Sequence, residues 1–175
     1  MKHLLIANML VMALCSAAYA DLILSPGGEF SSGDQTAQSQ IDAALSSLGI
    51  SNLLYKDNVG GSEEGAFASY YTTVYSNDPL DPKDALITWD GGDFITGGYL
   101  LVKDGNQSPA WYLFDIGSWD GQETLQLNDF WPNQGAISHV SIYDGGMNPV
   151  PEPSTMLLFG TGIACLLGYA RRKRQ

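Results

Sequence analysis

Glycine and aspartate interrupt this chain again and again, and that punctuation limits its fold more than any other feature. Gly60-Gly61, Asp90-Gly91-Gly92, Gly97-Gly98, Asp120-Gly121 and Asp144-Gly145-Gly146 all separate apolar segments. Clusters of this kind mark turns. The segments between them are short and rich in Tyr, Thr, Val and Trp, which suit a half-buried pleated surface. Strands are predicted at Ala66 to Tyr75, Leu86 to Trp89, Tyr99 to Val102, Trp111 to Ile116, Thr124 to Leu127 and Ala136 to Tyr143. In the last of these Ala136, Ser138, Val140 and Ile142 share one face. Tyr99 to Val102 and Trp111 to Ile116 flank Asp104-Gly105-Asn106-Gln107-Ser108-Pro109, the composition of a hairpin loop. One helix is predicted, over Asp34 to Leu48, because Ile41, Ala44, Leu45 and Leu48 fall on one helical face. Ser32 or Asp34 is its expected N-cap, and Gly49 fits its C′ position. No fixed period recurs, so a repeat architecture is not expected. The expected fold is mainly β: an antiparallel β-sandwich or jelly-roll-like domain with one short N-terminal helix.

The two ends differ from the middle. Residues 21–150 hold eighteen acidic side chains against three basic ones, Lys56, Lys83 and Lys103, a net charge of about −15. Such a surface repels phosphate backbones, which excludes nucleic acid as a partner. Branched and aromatic side chains are plentiful enough to separate it from a disordered acidic tail. The two cysteines, Cys15 and Cys165, lie in the apolar ends. The middle must therefore hold together by packing and hydrogen bonds, without disulfides.

Residues 1–20 read as a signal peptide. Lys2 and His3 precede the apolar run Leu4 to Cys15, and Ala18-Tyr19-Ala20 places small residues where signal peptidase requires them. Asp21 is then the mature N-terminus. At the other end, residues 148–155 form a linker containing Pro151-Glu152-Pro153. An apolar segment at residues 156–170 follows, and then a basic tail at 171–175 with Arg171, Arg172, Lys173 and Arg174. The prolines hold an extended backbone that presents Glu152 to a protease groove. Fifteen helical residues reach about 22 Å, and snorkelling arginines extend that toward bilayer thickness. The basic cluster stops transfer and stays in the cytoplasm. The expected order is thus signal peptide 1–20, extracellular β-rich domain 21–147, linker, transmembrane helix and cytoplasmic tail.

This order of Pro-Glu-Pro, apolar helix and terminal basic cluster resembles the PEP-CTERM sorting domain of Gram-negative bacteria. The resemblance implies an exosortase as processing enzyme alongside signal peptidase. It also implies passage through the inner membrane, and a link to exopolysaccharide and biofilm. By that resemblance Pro151, Glu152 and Pro153 are the recognition motif, and Arg171 to Arg174 the anchor. The same tail also goes by the label "ice-binding protein C-terminal domain"; no repeating Thr register in this chain supports ice binding. The stretches YLLVKDGNQSPAWYLFDI and FWPNQGAISHVSIY resemble sequence recurrent in exported PEP-CTERM proteins, which implies one intact domain type over roughly Leu54 to Tyr143 and brings no reaction with it.

Chemical constellations are sparse. His139 is the one histidine and there is no cysteine in residues 21–150, too few ligands for a closed zinc site. It is expected to face solvent or to be satisfied in the core. No Gly-x-Ser-x-Gly elbow is present. Glu63, Glu64, Asp90 and Asp93 are the carboxylates from which a glycosidase pair would be drawn, although adjacent strand residues point to opposite faces. For calcium, a hard cation that takes several loop oxygens, the candidates are Asp78, Asp81, Asp84, Asp90 and Asp93, with Asn77 beside them. No other cofactor is expected. Aromatic rings stack on the C–H faces of sugars, and Trp119 and Trp131, in Gly- and Pro-flanked segments, are the expected exposed platform. The function expected is that of an exported cell-surface or matrix protein, not an enzyme, that binds polysaccharide. A secreted glycan hydrolase using paired carboxylates is the alternative.

Overall fold

The computed structural model describes residues 21–76 and 81–145. The signal-peptide residues with Ala18 and Ala20, Asp78, the Pro-Glu-Pro motif, the apolar segment and the basic cluster lie outside these. Among the described residues no helix is long and apolar enough to cross a membrane.

The described residues form nine strands and one helix. They are β1 (Leu22–Leu24), β2 (Ser31–Gly33), α1 (Gln38–Ser47), β3 (Leu53–Asn58), β4 (Tyr71–Ser76), β5 (Asp84–Trp89), β6 (Tyr99–Lys103), β7 (Trp111–Asp115), β8 (Leu125–Leu127) and β9 (His139–Tyr143). They make a four-stranded sheet in the order β1-β8-β5-β4 and a five-stranded sheet in the order β2-β7-β6-β9-β3. The expected hairpin is present: β6 and β7 pair antiparallel from Tyr99↔Asp115 to Lys103↔Trp111. Antiparallel pairing holds throughout except at one edge, where β1 lies parallel to β8 in the register Leu22↔Leu125. That pairing departs from the all-antiparallel expectation. It joins segments about a hundred residues apart, so no local turn sets its direction.

The sheets pack face to face through one core. Tyr71, Ala85, Ile87, Leu125 and Leu127 of the four-stranded sheet meet Leu100, Val102, Tyr112, Phe114, Val140 and Ile142 of the five-stranded sheet. The five-stranded sheet is buried on both faces, which is why β9 shows no polar alternation in its burial. On its outer side α1 lays Ile41 and Leu45, with Ile50 beyond, over Leu101, Trp111, Leu113 and Tyr143. Among the described residues no helix covers the four-stranded sheet, whose outward Ile23, Val74 and Leu86 are exposed.

The helix starts later than expected. Ala37 is its N-cap and makes no side-chain cap bond. Ser32 is instead in β2, and the Asp34 carboxylate accepts a hydrogen bond from the Ser108 hydroxyl at 2.7 Å. The C-terminus follows the expectation. Gly49 has φ +79°, its N–H donates to Ser46 O at 3.0 Å, and the Ile50 N–H donates to Leu45 O at 3.0 Å. These two bonds define a Schellman end, which requires the left-handed residue glycine supplies most cheaply.

Candidate functional site

The loop end of β5 gathers the most chemistry on one surface. Tyr71 and Trp89 face each other where β4 begins and β5 ends. The Asp90 N–H donates back to Tyr70 O at 2.9 Å, closing this end of the sheet. Asp90-Gly91-Gly92-Asp93 then turns the chain, with φ +104° at Gly91 and +92° at Gly92. A side chain on Gly92 would meet the Tyr70 ring, its Cβ 2.8 Å from Cδ1 and Cε1, so the turn lies flat against that ring.

The result is an aromatic ledge. Phe94 is 41 % exposed and stands edge-on to the half-buried Trp89, ring centroids 6.1 Å apart at 80°. Phe67 meets Tyr70 in a similar way, 6.1 Å apart at 62°. The Trp89 indole N–H donates to Asp93 O at 3.3 Å, and the Thr72 hydroxyl donates to the Asp90 carboxylate at 2.7 Å. Beneath the ledge the buried Tyr71 hydroxyl donates to Gly121 O and accepts from the Ile95 N–H, both at 2.8 Å. One hydroxyl thus ties two loops to the sheet and holds the ledge in place. Exposed ring faces beside carboxylate acceptors are groups that stack on a sugar ring and take its hydroxyl hydrogens.

The structure separates the residues proposed for calcium. Asp84 opens β5 and Asp90 follows its end. Six residue steps along an extended strand span roughly 20 Å. Asp81 pairs with Lys83 at 2.9 Å, and an Asp84 oxygen accepts the Asp129 N–H at 2.7 Å. Asp90 and Asp93 remain together on the ledge turn. Among the described residues no group of three or more His, Cys, Asp or Glu side chains forms a metal cluster.

The expected platform of Trp119 and Trp131 is corrected. Both indoles are buried in the shared core. Trp119 packs on Tyr71 and donates to Glu123 O at 2.8 Å, and Trp131 packs on Tyr112 and Phe130 and donates to Pro109 O at 2.8 Å. Flanking Gly and Pro residues signalled loops, yet a loop of this small domain folds its largest side chain inward because ring burial outweighs the local signal. Phe94, which the ledge does expose, went unnoticed in the sequence. Its only signal was its place directly after the Asp90–Asp93 turn.

His139 also departs from expectation. It is 7 % exposed, and its Nε2 has no hydrogen-bond partner among the described residues, so there it neither faces solvent nor is satisfied. Burial, with Lys56 and Lys103 nearby, pushes its pKa down to about 4. In the unfolded chain it titrates near 6.5. Between these values the unfolded state binds a proton that the native state refuses. Stability from this group is therefore complete above about pH 6.5 and is lost as pH falls to about 4, by about 3 kcal/mol. Burial raises the Asp57 carboxyl in the opposite sense, which offsets part of the loss. Denaturant unfolding across this range should show a smaller decline in His139→Gln than in the unaltered protein; equal slopes would refute the assignment.

With the ledge and core in place, the class of protein is a two-sheet β domain that precedes a C-terminal sorting signal. Residues 149–175 match the PEP-CTERM protein-sorting motif. The chain is thus an exported protein, transiently anchored in the membrane and sorted by the exosortase system. No curated protein and no solved structure matches the chain.

Proposed function

We propose that the described domain is a non-catalytic glycan-binding module of the cell surface or biofilm matrix, delivered there through its sorting tail. The observation that carries this reading is Phe94, exposed beside Trp89 directly after the Asp90–Asp93 turn. A net charge of about −15 over residues 21–150 opposes polyanions. The favoured ligand is therefore a neutral or amino-bearing polysaccharide, laid over the ring faces with its hydroxyls or ammonium groups on the two carboxylates.

Titration calorimetry of the full chain in neutral detergent, against neutral, amino-bearing and uronate-bearing oligosaccharides, tests it. Phe94→Ala should weaken binding roughly ten-fold, the loss of about 1.4 kcal/mol expected from one aromatic contact. Unchanged affinity in that variant would remove the ledge as the site. The titration is run with calcium and with a chelator, because Asp90 and Asp93 present oxygens to a hard cation from one turn.

One observation favours the hydrolase reading. Asp57 is buried, and that burial, with the Glu63 carboxylate close by, raises its pKa against the hydrogen bond from Tyr75. A carboxyl whose pKa is raised by burial is what a glycosidase acid needs. Reducing ends released in the same mixtures, and lost in Asp57→Asn, would turn the assignment toward hydrolysis.

A further inference from the structure

The chain leaves the domain beside the aromatic ledge. β9 ends at Tyr143, which stands across from Tyr99 at the start of β6. Gly98, just before that start, has φ +120°. A Cβ on Gly98 would strike Tyr143 O, and a Cβ on Gly145 would stand 3.0 Å from Gly98 Cα. The backbone running out toward the tail thus packs on the backbone running in from the ledge. Phe94 lies four residues before Gly98, so at most about 14 Å of chain separates them. The Ile95 N–H donates to the Tyr71 hydroxyl at 2.8 Å, and the Gly97 N–H donates to Trp119 O at 3.0 Å. These bonds hold the segment between Phe94 and Gly98 against the end of the sandwich. β1 begins at the same end, since Leu22 stands across from Leu125, and Leu125 from Ile87, two residues short of Trp89. Residues 1–20 and the sorting signal therefore both join the domain where the ledge is.

The tether is short. The described domain stops at Gly145, and the sorting signal covers residues 149–175. Ten residues, 146–155, lead to the apolar segment that begins at Met156. Ten residues reach at most about 35 Å. An anchored chain therefore keeps its exit, and Phe94 beside it, close to the bilayer. A short oligosaccharide enters a gap of that size. A matrix polysaccharide is a coil much wider than the gap, and a wall next to the binding site deprives that coil of conformations. The loss of freedom opposes its binding. The other end of the sandwich has no such neighbour. There β6 ends at Lys103 and β7 begins at Trp111, and the loop between them exposes Asn106.

We infer that the ledge faces the bilayer while the tail anchors the chain, so that the membrane screens it from polymers until the tail is processed. Sorting then does more than place the module. It also switches the ledge from a site open to short sugars into one open to the matrix polymer. This regulation rests on the ledge as the glycan site; the orientation does not.

Thiol labelling tests the orientation without a glycan. The only cysteines, Cys15 and Cys165, are first replaced by Ser. Phe94→Cys is then made in one full chain and Asn106→Cys in another, and each is placed in phosphatidylcholine nanodiscs. That lipid is zwitterionic, so the domain's acidic surface is not repelled from it. The probes are a short and a long poly(ethylene glycol) maleimide. Relative to the short probe, the long one should label Phe94→Cys at least about ten-fold more slowly than Asn106→Cys, because only the first site shares its space with the bilayer. Inserting about thirty Gly and Ser residues after Val150, which raises the r.m.s. span of the linker to roughly 35 Å, should close most of that difference. Asp93→Cys, at the exposed turn, carries the test if Phe94→Cys does not fold. Equal size dependence at the two ends, or a difference that survives the longer linker, overturns the inference. The calorimetry on Phe94→Ala decides separately whether the ledge takes a glycan. A wrong orientation and a wrong ligand are thereby told apart, and screened labelling without glycan binding would overturn the regulation.

Discussion

Phe130→Ala should cost the domain about 4 kcal/mol, read in urea as a lower midpoint with an unchanged slope. Phe130 is fully buried and its ring meets three others: Tyr112 at 5.7 Å and 71°, Phe114 at 5.8 Å and 76°, and Trp131 at 5.7 Å and 52°. Truncation loses the transfer energy of the ring, leaves a cavity, and removes edge contacts of about 0.5–1.5 kcal/mol each. The position cannot collapse easily, because the backbone on both sides is fixed. Asp129 and Trp131 hold φ of 59° and 48°, a conformation non-glycine residues rarely take. The Asp129 N–H is bound by Asp84 at 2.7 Å, and the Phe130 N–H by Lys83 O at 3.0 Å. Domains of this size are stable by about 5–15 kcal/mol, so the variant loses a large fraction of the whole. A cost below about 2 kcal/mol would mean that the neighbouring rings close over the gap, and that this segment is not a fixed wall of the core.

Asp104→Ala is the second large effect, again about 4 kcal/mol, from three charge-assisted bonds of roughly 1.5–3 kcal/mol less what water recovers. Asp104 is 4 % exposed. One carboxylate oxygen accepts the Asn106 and Gln107 N–H groups at 2.6 and 3.1 Å, and the other accepts the Ala136 N–H. A single side chain thereby shapes the β6–β7 loop and ties it to the segment entering β9. Alanine leaves these amides unpaired. Asp104→Asn keeps the shape and one acceptor oxygen, so it should lose about half as much. Hydrogen exchange at Ala136 localises the effect. Equal losses in both variants would assign the role to packing and not to charge.

Both positions show why loops matter here as much as strands. Phe130 and Asp104 lie outside regular elements, yet they anchor the segments that carry β9, and β9 places His139 and Ser141 on the outer face. The ledge depends on the same device, since the Tyr71 hydroxyl fixes two loops around Phe94 and Trp89.

What could be read from the residues alone was local. Gly and Asp clusters set the strand breaks, the Tyr99–Val102 and Trp111–Ile116 runs paired as a hairpin, and Gly49 ended the helix, because each signal acts within a few residues of its effect. The order of Pro-Glu-Pro, apolar segment and basic cluster was legible for the same reason: a protease and a membrane read it as linear sequence. What only the tertiary structure decided was non-local. β1 and β2 are three residues long and carry no periodicity, and they exist because β8 and β7 offer them open edges. β3 places Lys56 and Asp57 on opposite faces, Asp57 buried with Tyr55 and Lys56 half-buried, a pattern that reads as a polar loop until β9 pairs with it. Trp119 and Trp131 left the surface because the core had room for their rings. Lys56, Lys103 and His139 lie up to 83 positions apart in the chain, and nothing along it links them. Their meeting is fixed by sheet register, which follows from burying one face of every strand, since a slip of one residue would turn Val140 and Ile142 out of the core.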